Sequence, residues 1–384
     1  MSYNILIAPD SFKESMTAQA VTQIIGDALE DALPKASVYK LPLSDGGEGF
    51  LDCMIAASGG ISHELEVRGP LGETVMASYG YSADGKTAYV EFAQACGLNL
   101  VSEEDRDIWE TSSYGVGQLI KAASENESCE SIVVGLGGSA SNDGGMGLLE
   151  ALGFKFLDEA GAVLSASARN MELVHHIEPP KSGLQSLRSK RIVVAADVKN
   201  PLLGSQGAVQ TFSRQKGATD RDLSSLEQGL ASFAGVIESH CQRAVRDKEG
   251  VGAAGGAAFA LVAILHGRIR PGFDVLSGAS KLESLLTGKE INLIITGEGC
   301  YDRQTAQGKL IYSLCALAES KNIPVIALVG TAKAGSSDIP GLTAVFSIAT
   351  GPISLEKAMR RGPLLLDVSA RELASFLQQF PIKV

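Results

Sequence analysis

The stretch Ser131–Gly147, SIVVGLGGSASNDGGMG, indicates the fold class, because it reads as a buried strand followed by a glycine-rich loop and a helix. Ile132–Val134 are β-branched, which is typical of strands in buried parallel sheets. Glycines in the loop allow backbone N–H groups to approach a ligand without an intervening Cβ. Because the start of such a helix is a typical anion site, we expect this loop to bind a ligand.

The loop allows more than one interpretation. Gly135–Ala140 fits the GxGxxA dinucleotide fingerprint, which would suit an NAD-dependent hydroxy-acid oxidoreductase. Asp143 argues against that interpretation, since a carboxylate at the helix start repels phosphates unless a divalent cation lies between them. A structural alternative is that one residue of Ser141–Asp143 merely caps the helix. The density of glycines from Gly135 to Gly145 favours a functional loop.

Length and charge exclude several classes of protein. At 384 residues the chain is longer than a typical domain, which favours two domains. A net charge of −11 argues against binding to nucleic acid or to an anionic membrane. A phosphate-bearing ligand would therefore be held by backbone amides, a few lysines and Mg²⁺.

The cysteines and the apolar segments indicate where the protein works. The six cysteines show neither close pairs nor zinc spacing, which predicts reduced thiols. The N-terminal sequence lacks the pattern of a signal peptide. The longest uncharged apolar stretch, Ala253–Leu265, is far shorter than the roughly 20 residues that span a bilayer. We expect a cytoplasmic protein in which this stretch is a buried helix.

Strand and helix patterns alternate at both ends of the chain, and hairpin patterns occur in the middle. This arrangement predicts an α/β protein with two α/β domains: a parallel three-layer sheet domain from both termini and an inserted mixed α/β domain. The first is predicted at 1–65 plus 285–384 and the second at 66–284. The segment from Gly204 to Lys248 is predicted to be mostly helical, with a polar loop at Gln206–Lys216.

Carboxylates follow several of the predicted strands, mostly in glycine-bearing loops. Ligand groups in such sheets collect at the carboxyl ends of strands. Acidic residues among glycines suit phosphoryl transfer from a magnesium nucleotide, in which positioning and charge neutralisation do most of the catalysis. The carboxylates of this kind are Asp10, Asp45, Glu48, Asp143, Asp197, Glu298 and Asp302.

The chain resembles the bacterial class I glycerate kinases. The resemblance lies in Ala8–Ser15 (APDSFKES), Pro42–Gly49 (PLSDGGEG), Gly135–Gly145 (GLGGSASNDGG), Asp197–Leu202 (DVKNPL) and Gly297–Thr305 (GEGCYDRQT) with Gly308-Lys309. It implies ATP- and Mg²⁺-dependent phosphorylation of D-glycerate in the cytosol, with the active site in a cleft between two α/β domains. It also favours the 2-hydroxyl over the 3-hydroxyl as the acceptor.

Carried onto this sequence, the resemblance and the residue chemistry imply a set of site residues. The expected catalytic residues are Asp197, Asp45 and Lys13. The expected cofactor-binding residues are Gly137, Gly138, Ser139, Asn142, Asp143, Gly144 and Lys309. The expected substrate-binding residues are Asp10, Ser11, Gly46, Gly47, Asn200, Arg303 and Thr305. The expected metal ligands are Asp45, Glu298 and Asp302.

Two other functions remain open on the sequence alone: the NAD-dependent oxidoreductase and a non-catalytic hydroxy-acid binding protein. A small-molecule substrate is expected in every case, without nucleic acid or membrane, and a homodimer is possible. Which hydroxyl of glycerate reacts, and which carboxylate is the base, are not given by the pattern.

Overall fold

The computed structural model of the protein describes residues 3–181, 184–302, 305, 310–333 and 335–379. Its contacts divide the chain into two compact units. The terminal unit comprises Met1–Asp45, Asp52–Ser58 and Phe273–Val384, and the middle unit comprises Gly46–Leu51 and Gly59–Gly272. The predicted hinges near residues 65 and 285 stay predictions.

The terminal unit contains a five-stranded sheet in which every pairing is parallel. The order across the sheet is β14-β13-β12-β1-β2. The strands are β1 (Asn4–Ile7), β2 (Ser37–Lys40), β12 (Leu293–Tyr301), β13 (Val325–Ala332) and β14 (Leu342–Ser347).

Both faces of this sheet are buried, which explains the apolar runs in its strands. Ile5 and Ile7 are fully buried on the face covered by the first and last helices of the unit. Leu6, which points to the opposite face, is equally buried. Burying one such side chain contributes about 1.5–3 kcal/mol.

The helices of the terminal unit follow the predicted patterns at both ends of the chain. In the first helix, Thr17 is the N-cap, and its Oγ1 accepts a hydrogen bond from the Ala20 N–H at 3.2 Å. The helices are α1 (Ala18–Ala32), α2 (Phe50–Ser58, shared with the middle unit), α10 (Gly272–Ser280, beginning at the last residue of the middle unit), α11 (Leu282–Gly288), α12 (Leu310–Glu319), α13 (Leu355–Arg360) and α14 (Gly362–Gln379).

The middle unit contains a mixed six-stranded sheet with the order β11-β10-β6-β5-β4-β3. The predicted hairpins are confirmed as antiparallel pairs, and the remaining pairings are parallel. The strands are β3 (Ile61–Arg68), β4 (Thr74–Tyr81), β5 (Thr87–Glu91), β6 (Ser131–Gly135), β10 (Arg191–Ala195) and β11 (Arg268–Arg270).

The middle unit also has a small antiparallel sheet that the sequence did not predict. Its order is β8-β7-β9, formed by Lys155–Leu157 (β7), Val163–Leu164 (β8) and His176–Glu178 (β9). Strands of two or three residues carry too little periodicity to be recognised from sequence. The helices of the unit are α3 (Phe92–Cys96), α4 (Tyr114–Ser124), α5 (Met146–Ala151), α6 (Gln185–Arg188), α7 (Ala208–Phe212), α8 (Leu223–Cys241) and α9 (Ala257–Ile264).

One local prediction is wrong and one is confirmed. Gln206–Lys216 was predicted as a polar loop, yet it contains α7, whose Ala208 and Val209 are fully buried. The apolar stretch from Ala253 forms a short 3₁₀ turn followed by the buried helix α9. Within the described ranges no helix is both long and apolar enough to cross a membrane.

Candidate functional site

The strand order of the terminal unit predicts where a ligand binds. The chain passes from β1 to β2 on one side, and from β12 through β13 to β14 on the other. The neighbours β1 and β12 therefore form a topological switch point, and ligands of parallel sheets bind at the carboxyl ends of such strands. In the middle unit, by contrast, β5, β6, β10 and β11 follow one another across the sheet without a reversal.

Several predicted carboxylates meet at this switch point. Asp10 follows β1, and its N–H donates to the Gly297 carbonyl of β12 at 2.9 Å. Asp45 follows β2, while Glu298 lies on β12 itself. Together with Asp302, these residues line a cavity of 290 Å³. The cavity thus contains the predicted residues Asp10, Ser11, Lys13, Asp45, Glu298 and Asp302.

Asp10 has a perturbed carboxyl group in this acid pocket. Burial, then the negative charge of Asp45, raises its pKa well above the ordinary value, and Glu298 adds to the effect. The Ser11 N–H, which donates to Asp10 Oδ1 at 2.7 Å, and the charge of Lys13 act in the opposite direction. Several negative charges held together in this way favour binding of a cation.

Lys13 is held at the pocket by a tight turn. The Phe12 N–H donates to the Met16 carbonyl at 2.8 Å, and the Met16 N–H donates back to the Phe12 carbonyl at 2.8 Å. Glu14, between them, adopts a left-handed φ of +60°. The side chain of Lys13 is exposed, so its ammonium group can reach a ligand.

Thr305 contacts two of the acidic residues. Its Oγ1 donates to Glu298 Oε1 at 2.6 Å and accepts from the Asp302 N–H at 3.2 Å. Because Thr305 is fully buried, this geometry favours a positioning role over the predicted direct contact with substrate. The predicted residues Arg303 and Lys309 lie outside the described residues.

Most of the remaining lining of the acid pocket is apolar. Its lining includes Leu310 and Ile311 of α12, Leu355 and Met359 of α13, and Leu365 of α14. A cavity with a charged end and an apolar end suits a ligand that carries phosphates on an organic body.

The donor set of the pocket fits Mg²⁺ better than a transition metal. Carboxylate oxygens are the ligands that Mg²⁺ prefers. Among the described residues, no three Asp, Glu, His or Cys side chains are grouped so that they alone could hold an ion. Mg²⁺ is commonly held by only one or two carboxylates together with substrate phosphates, which this pocket can supply.

The glycine-rich loop of the middle unit is less accessible than its sequence predicts. Gly138 is exposed and Gly137 half-buried, while Ser139 is buried. Asn142, Asp143 and Gly144, also predicted to bind the cofactor, are inaccessible to solvent as well. The accessible part of the predicted cradle is therefore the Gly137-Gly138 pair.

Asp143 is saturated by donors from the protein. Its Oδ2 accepts from the Ser113 N–H at 2.8 Å, the Ser113 hydroxyl at 2.8 Å and the Gly147 N–H at 3.1 Å. Its Oδ1 accepts from the Gly145 N–H at 3.0 Å. This geometry favours the capping interpretation of Asp143, because it holds the loop and the start of α5 in place.

The loop does not have the geometry of a dinucleotide site. In such a site a helix begins within the fingerprint and receives the pyrophosphate. Here α5 begins only at Met146. The space beside Gly137 is filled by protein, because a Cβ on Gly137 would lie 2.2 Å from Gly47 Cα. The Gly137 N–H is also occupied, since it donates to the Gly46 carbonyl at 2.9 Å. The predicted substrate residues Gly46 and Gly47 are themselves buried in this packing.

Asp197 follows β10, as predicted, and is half-buried. Its Oδ1 accepts a hydrogen bond from the Gly272 N–H, at the first residue of α10, at 2.8 Å. Asn200 supports the adjacent loop, because its Nδ2 donates to the Gln206 carbonyl at 2.6 Å and to Thr211 Oγ1 at 3.2 Å. The predicted binding role of Asn200 stays untested.

Two buried charged residues near the glycine loops were missed by the sequence reasoning. Glu91, at the end of β5, accepts from the N–H groups of Gly49 at 3.1 Å and Leu51 at 2.9 Å, where α2 begins. Lys216 donates from Nζ to Ser139 Oγ at 2.8 Å and to the Ser141 carbonyl at 2.7 Å. Neither has a distinctive local motif that would have identified it.

The environment of Lys216 allows a pH test of its role. Burial lowers the pKa of Lys216 from 10.5 to about 8, although Cys96 and Asp143 act in the opposite direction. Between these two values the unfolded chain binds more protons than the folded one, so this group makes the protein more stable as the pH rises. The neutral amine still has two N–H groups for its two acceptors.

We therefore expect the free energy of unfolding of the wild type, relative to Lys216→Met, to rise by roughly 3 kcal/mol between pH 8 and pH 10.5. Urea unfolding of both proteins across that range measures the difference. Lys199→Met, at an exposed lysine of the same unit, should show no such trend. A difference between wild type and Lys216→Met that does not vary with pH would contradict the expectation.

Comparisons with known proteins identify the family of the chain. The model of the glycerate kinase family matches residues 5–378. The glycerate 2-kinase of Escherichia coli K12 is 40% identical over 376 residues, covering 97% of each chain. The glycerate kinase of Bacillus subtilis is 38% identical over 377 residues, again 97% of each chain.

A solved structure shows the same fold. The crystal structure of a Salmonella typhimurium LT2 protein assigned as glycerate kinase 2 superposes with a TM-score of 0.84, at 38% identity, over 99% of both chains. These matches extend over nearly the whole chain and confirm the α/β fold and the resemblance to glycerate kinases. The chain belongs to the glycerate kinase family, whose members are phosphotransferases with an alcohol group as acceptor.

Proposed function

We propose that the protein catalyses the ATP- and Mg²⁺-dependent phosphorylation of D-glycerate, in the cytoplasm, with 2-phosphoglycerate as the favoured product. The observation that carries the proposal is the acid pocket at the switch point of the terminal unit. Its carboxylates suit the metal, its exposed Lys13 suits the phosphates, and its apolar wall suits the nucleobase of a nucleotide.

The charge of the pocket supports a metal-bound nucleotide as the phosphoryl donor. Its described lining contains the four carboxylates Asp10, Asp45, Glu298 and Asp302, whose charge exceeds that of Lys13. A free triphosphate would be repelled by this excess of negative charge. Mg²⁺, held by Asp45 and Glu298, would neutralise charge on the phosphates during transfer.

The remaining residues take the following roles in this proposal. Lys13 places a positive charge where charge builds up on the transferred phosphoryl group. Thr305 fixes the rotamer of Glu298 through the 2.6 Å hydrogen bond. Asp197 accepts the proton of the glycerate hydroxyl as general base, and Asp45 is the alternative candidate for that role.

The names of two relatives support the proposed position of phosphorylation. The Escherichia coli relative is named glycerate 2-kinase, and the solved relative is assigned as glycerate kinase 2. We extend the 2-hydroxyl preference to this chain on that basis. A proton-coupled ³¹P NMR spectrum of the product distinguishes the isomers, because a phosphate at C2 couples to one proton and a phosphate at C3 couples to two.

Ligand-induced stabilisation tests the donor. MgATP at 100 times its dissociation constant should raise the free energy of unfolding by about 2.7 kcal/mol. ATP with EDTA should produce little stabilisation, since the carboxylates then repel the phosphates. Stabilisation by NADH without any by MgATP would contradict the kinase. Glycerate binding without release of ADP would instead indicate a non-catalytic binding protein.

A further inference from the structure

The middle unit contains a second cavity, which we call the basic groove. It has a volume of 1040 Å³ and runs along β10 and the edge strand β11, beside α6 and the ends of α8 and α9. Its charged lining residues are Lys181, Arg188, Lys190, Arg191, Arg268 and Arg270. The proposed kinase reaction does not use any of them.

The groove is positively charged in a protein whose net charge is −11. Its described lining contains no Asp or Glu side chain. Arg191 has a distant ion pair with Glu130, at 3.7 Å, outside the lining. Among the described residues, Arg188, Arg268 and Arg270 form no ion pair. The positive charge is thus largely left uncompensated by the protein.

Backbone contacts hold part of this charge in place. Lys190 Nζ donates to the Asn126 carbonyl at 2.8 Å and to the Cys129 carbonyl at 2.5 Å, so the ammonium group is fixed without a carboxylate partner. At the end of α9, Arg243 Nη1 donates to the Val262 carbonyl at 3.0 Å and the Ala263 carbonyl at 3.2 Å. This contact offsets the negative end of the helix dipole, which would otherwise disfavour an anion there.

The groove also has an apolar wall. Phe154, Leu187, Ile192 and Leu265 line it together with the basic side chains. Guanidinium groups recognise phosphate and carboxylate oxygens through paired hydrogen bonds, and an apolar surface accommodates a carbon skeleton. The combination matches an organic molecule that carries several negative charges.

We propose that the basic groove binds a small organic polyanion of the phosphate-ester class, at a site separate from the acid pocket. Every described lining residue of the groove belongs to the middle unit, and every described lining residue of the acid pocket belongs to the terminal unit. The described linings of the two cavities have opposite charge. A polyanion free of Mg²⁺ is therefore attracted to the groove and repelled by the acid pocket.

Calorimetric titration with inorganic tripolyphosphate, in EDTA and at low ionic strength, tests the charge of the site. The wild type should bind, and the affinity should fall as salt is added. The double variant Arg188→Gln and Arg268→Gln removes two exposed guanidinium groups. Because losing each charged contact should weaken binding roughly tenfold, the dissociation constant should rise about a hundredfold. Circular dichroism checks that the variant is folded.

Arg169→Gln combined with Arg214→Gln is the matched control. Both arginines are exposed, lie in the same unit outside the groove, and are paired with Glu110 and Asp220. The control should bind with a dissociation constant within threefold of the wild type. An absence of binding to the wild type, unchanged binding to the groove variant, or equal weakening of both double variants would overturn the proposal.

A second titration tests the class of ligand. Phenyl phosphate should bind the wild type at least severalfold more tightly than inorganic phosphate, because only the ester can bury a ring against the apolar wall. Leu187→Asn should abolish this preference, and a melting curve would show whether that variant is folded. Equal affinity for the two phosphates would overturn the assignment to organic esters.

Discussion

Replacing Asp197 with asparagine is expected to lower turnover at least roughly a hundredfold and to leave the protein folded. Asparagine keeps the shape of the side chain and an Oδ1 that can still accept from the Gly272 N–H. What it loses is the negative charge that, in the proposed mechanism, takes a proton from the glycerate hydroxyl. Turnover is measured as ADP release with saturating MgATP and D-glycerate, alongside a melting curve.

Asp158→Asn is the control for this experiment. Asp158 also accepts a backbone hydrogen bond, from the Ala162 N–H at 2.8 Å, in an exposed turn of the same unit. Its replacement should leave turnover unchanged. If turnover of Asp197→Asn stays within a factor of a few while the melting temperature falls, Asp197 is structural. Asp45 then becomes the base, and Asp45→Asn should show the large loss instead.

Replacing Lys13 with methionine is expected to lower kcat by roughly a hundred- to a thousandfold, the cost of losing one donor aimed at developing charge. The turn from Phe12 to Met16 does not depend on the ammonium group, since it is closed by backbone hydrogen bonds. The fold should therefore persist. The pKa of Asp10 should rise further, because the charge of Lys13 is one of the causes that lower it.

Lys35→Met provides the comparison, because Lys35 is an exposed lysine of the terminal unit outside the acid pocket. It should retain the kcat of the wild type. If Lys13→Met raises KM and leaves kcat unchanged, Lys13 contributes equally to ground-state and transition-state binding. That result would contradict its proposed role in phosphoryl transfer.

Several residues that line the acid pocket could be picked out from the sequence because they follow apolar strands directly. Asp10 and Asp45 come within a few residues of β1 and β2, where a period-based prediction is most reliable. Glu298 was expected in a glycine-bearing loop after a strand, but it lies within β12, which continues to Tyr301. Glycine at position 297 permits this extension. Any other residue would place its Cβ only 2.1 Å from the Leu328 carbonyl oxygen of β13, which is too close.

The middle unit was harder to predict because its glycines allow close packing between segments, and not only the approach of a ligand to the backbone. A Cβ on Gly144 would lie 2.9 Å from the Phe233 ring, and one on Gly145 would lie 2.6 Å from Ala260 Cβ. These contacts join segments far apart in sequence, as does the hydrogen bond from Lys216 to the Ser141 carbonyl across 75 positions. Local periodicity contains no information about such pairs, so it could not predict them.

The position of β1 between β12 and β2 has a consequence for protein synthesis. Both neighbours of β1 in the sheet are parallel to it. The strand β2 follows β1 closely in the sequence, whereas most of the chain separates β1 from β12. The Asn4 N–H, for example, donates a hydrogen bond to the Asn292 side chain across 288 positions. During translation the ribosome releases the whole middle unit before β12 appears. The middle unit can therefore fold first. The edge of β1 that pairs with β12 stays unpaired until the final quarter of the chain emerges, and an unpaired strand edge can aggregate with other chains.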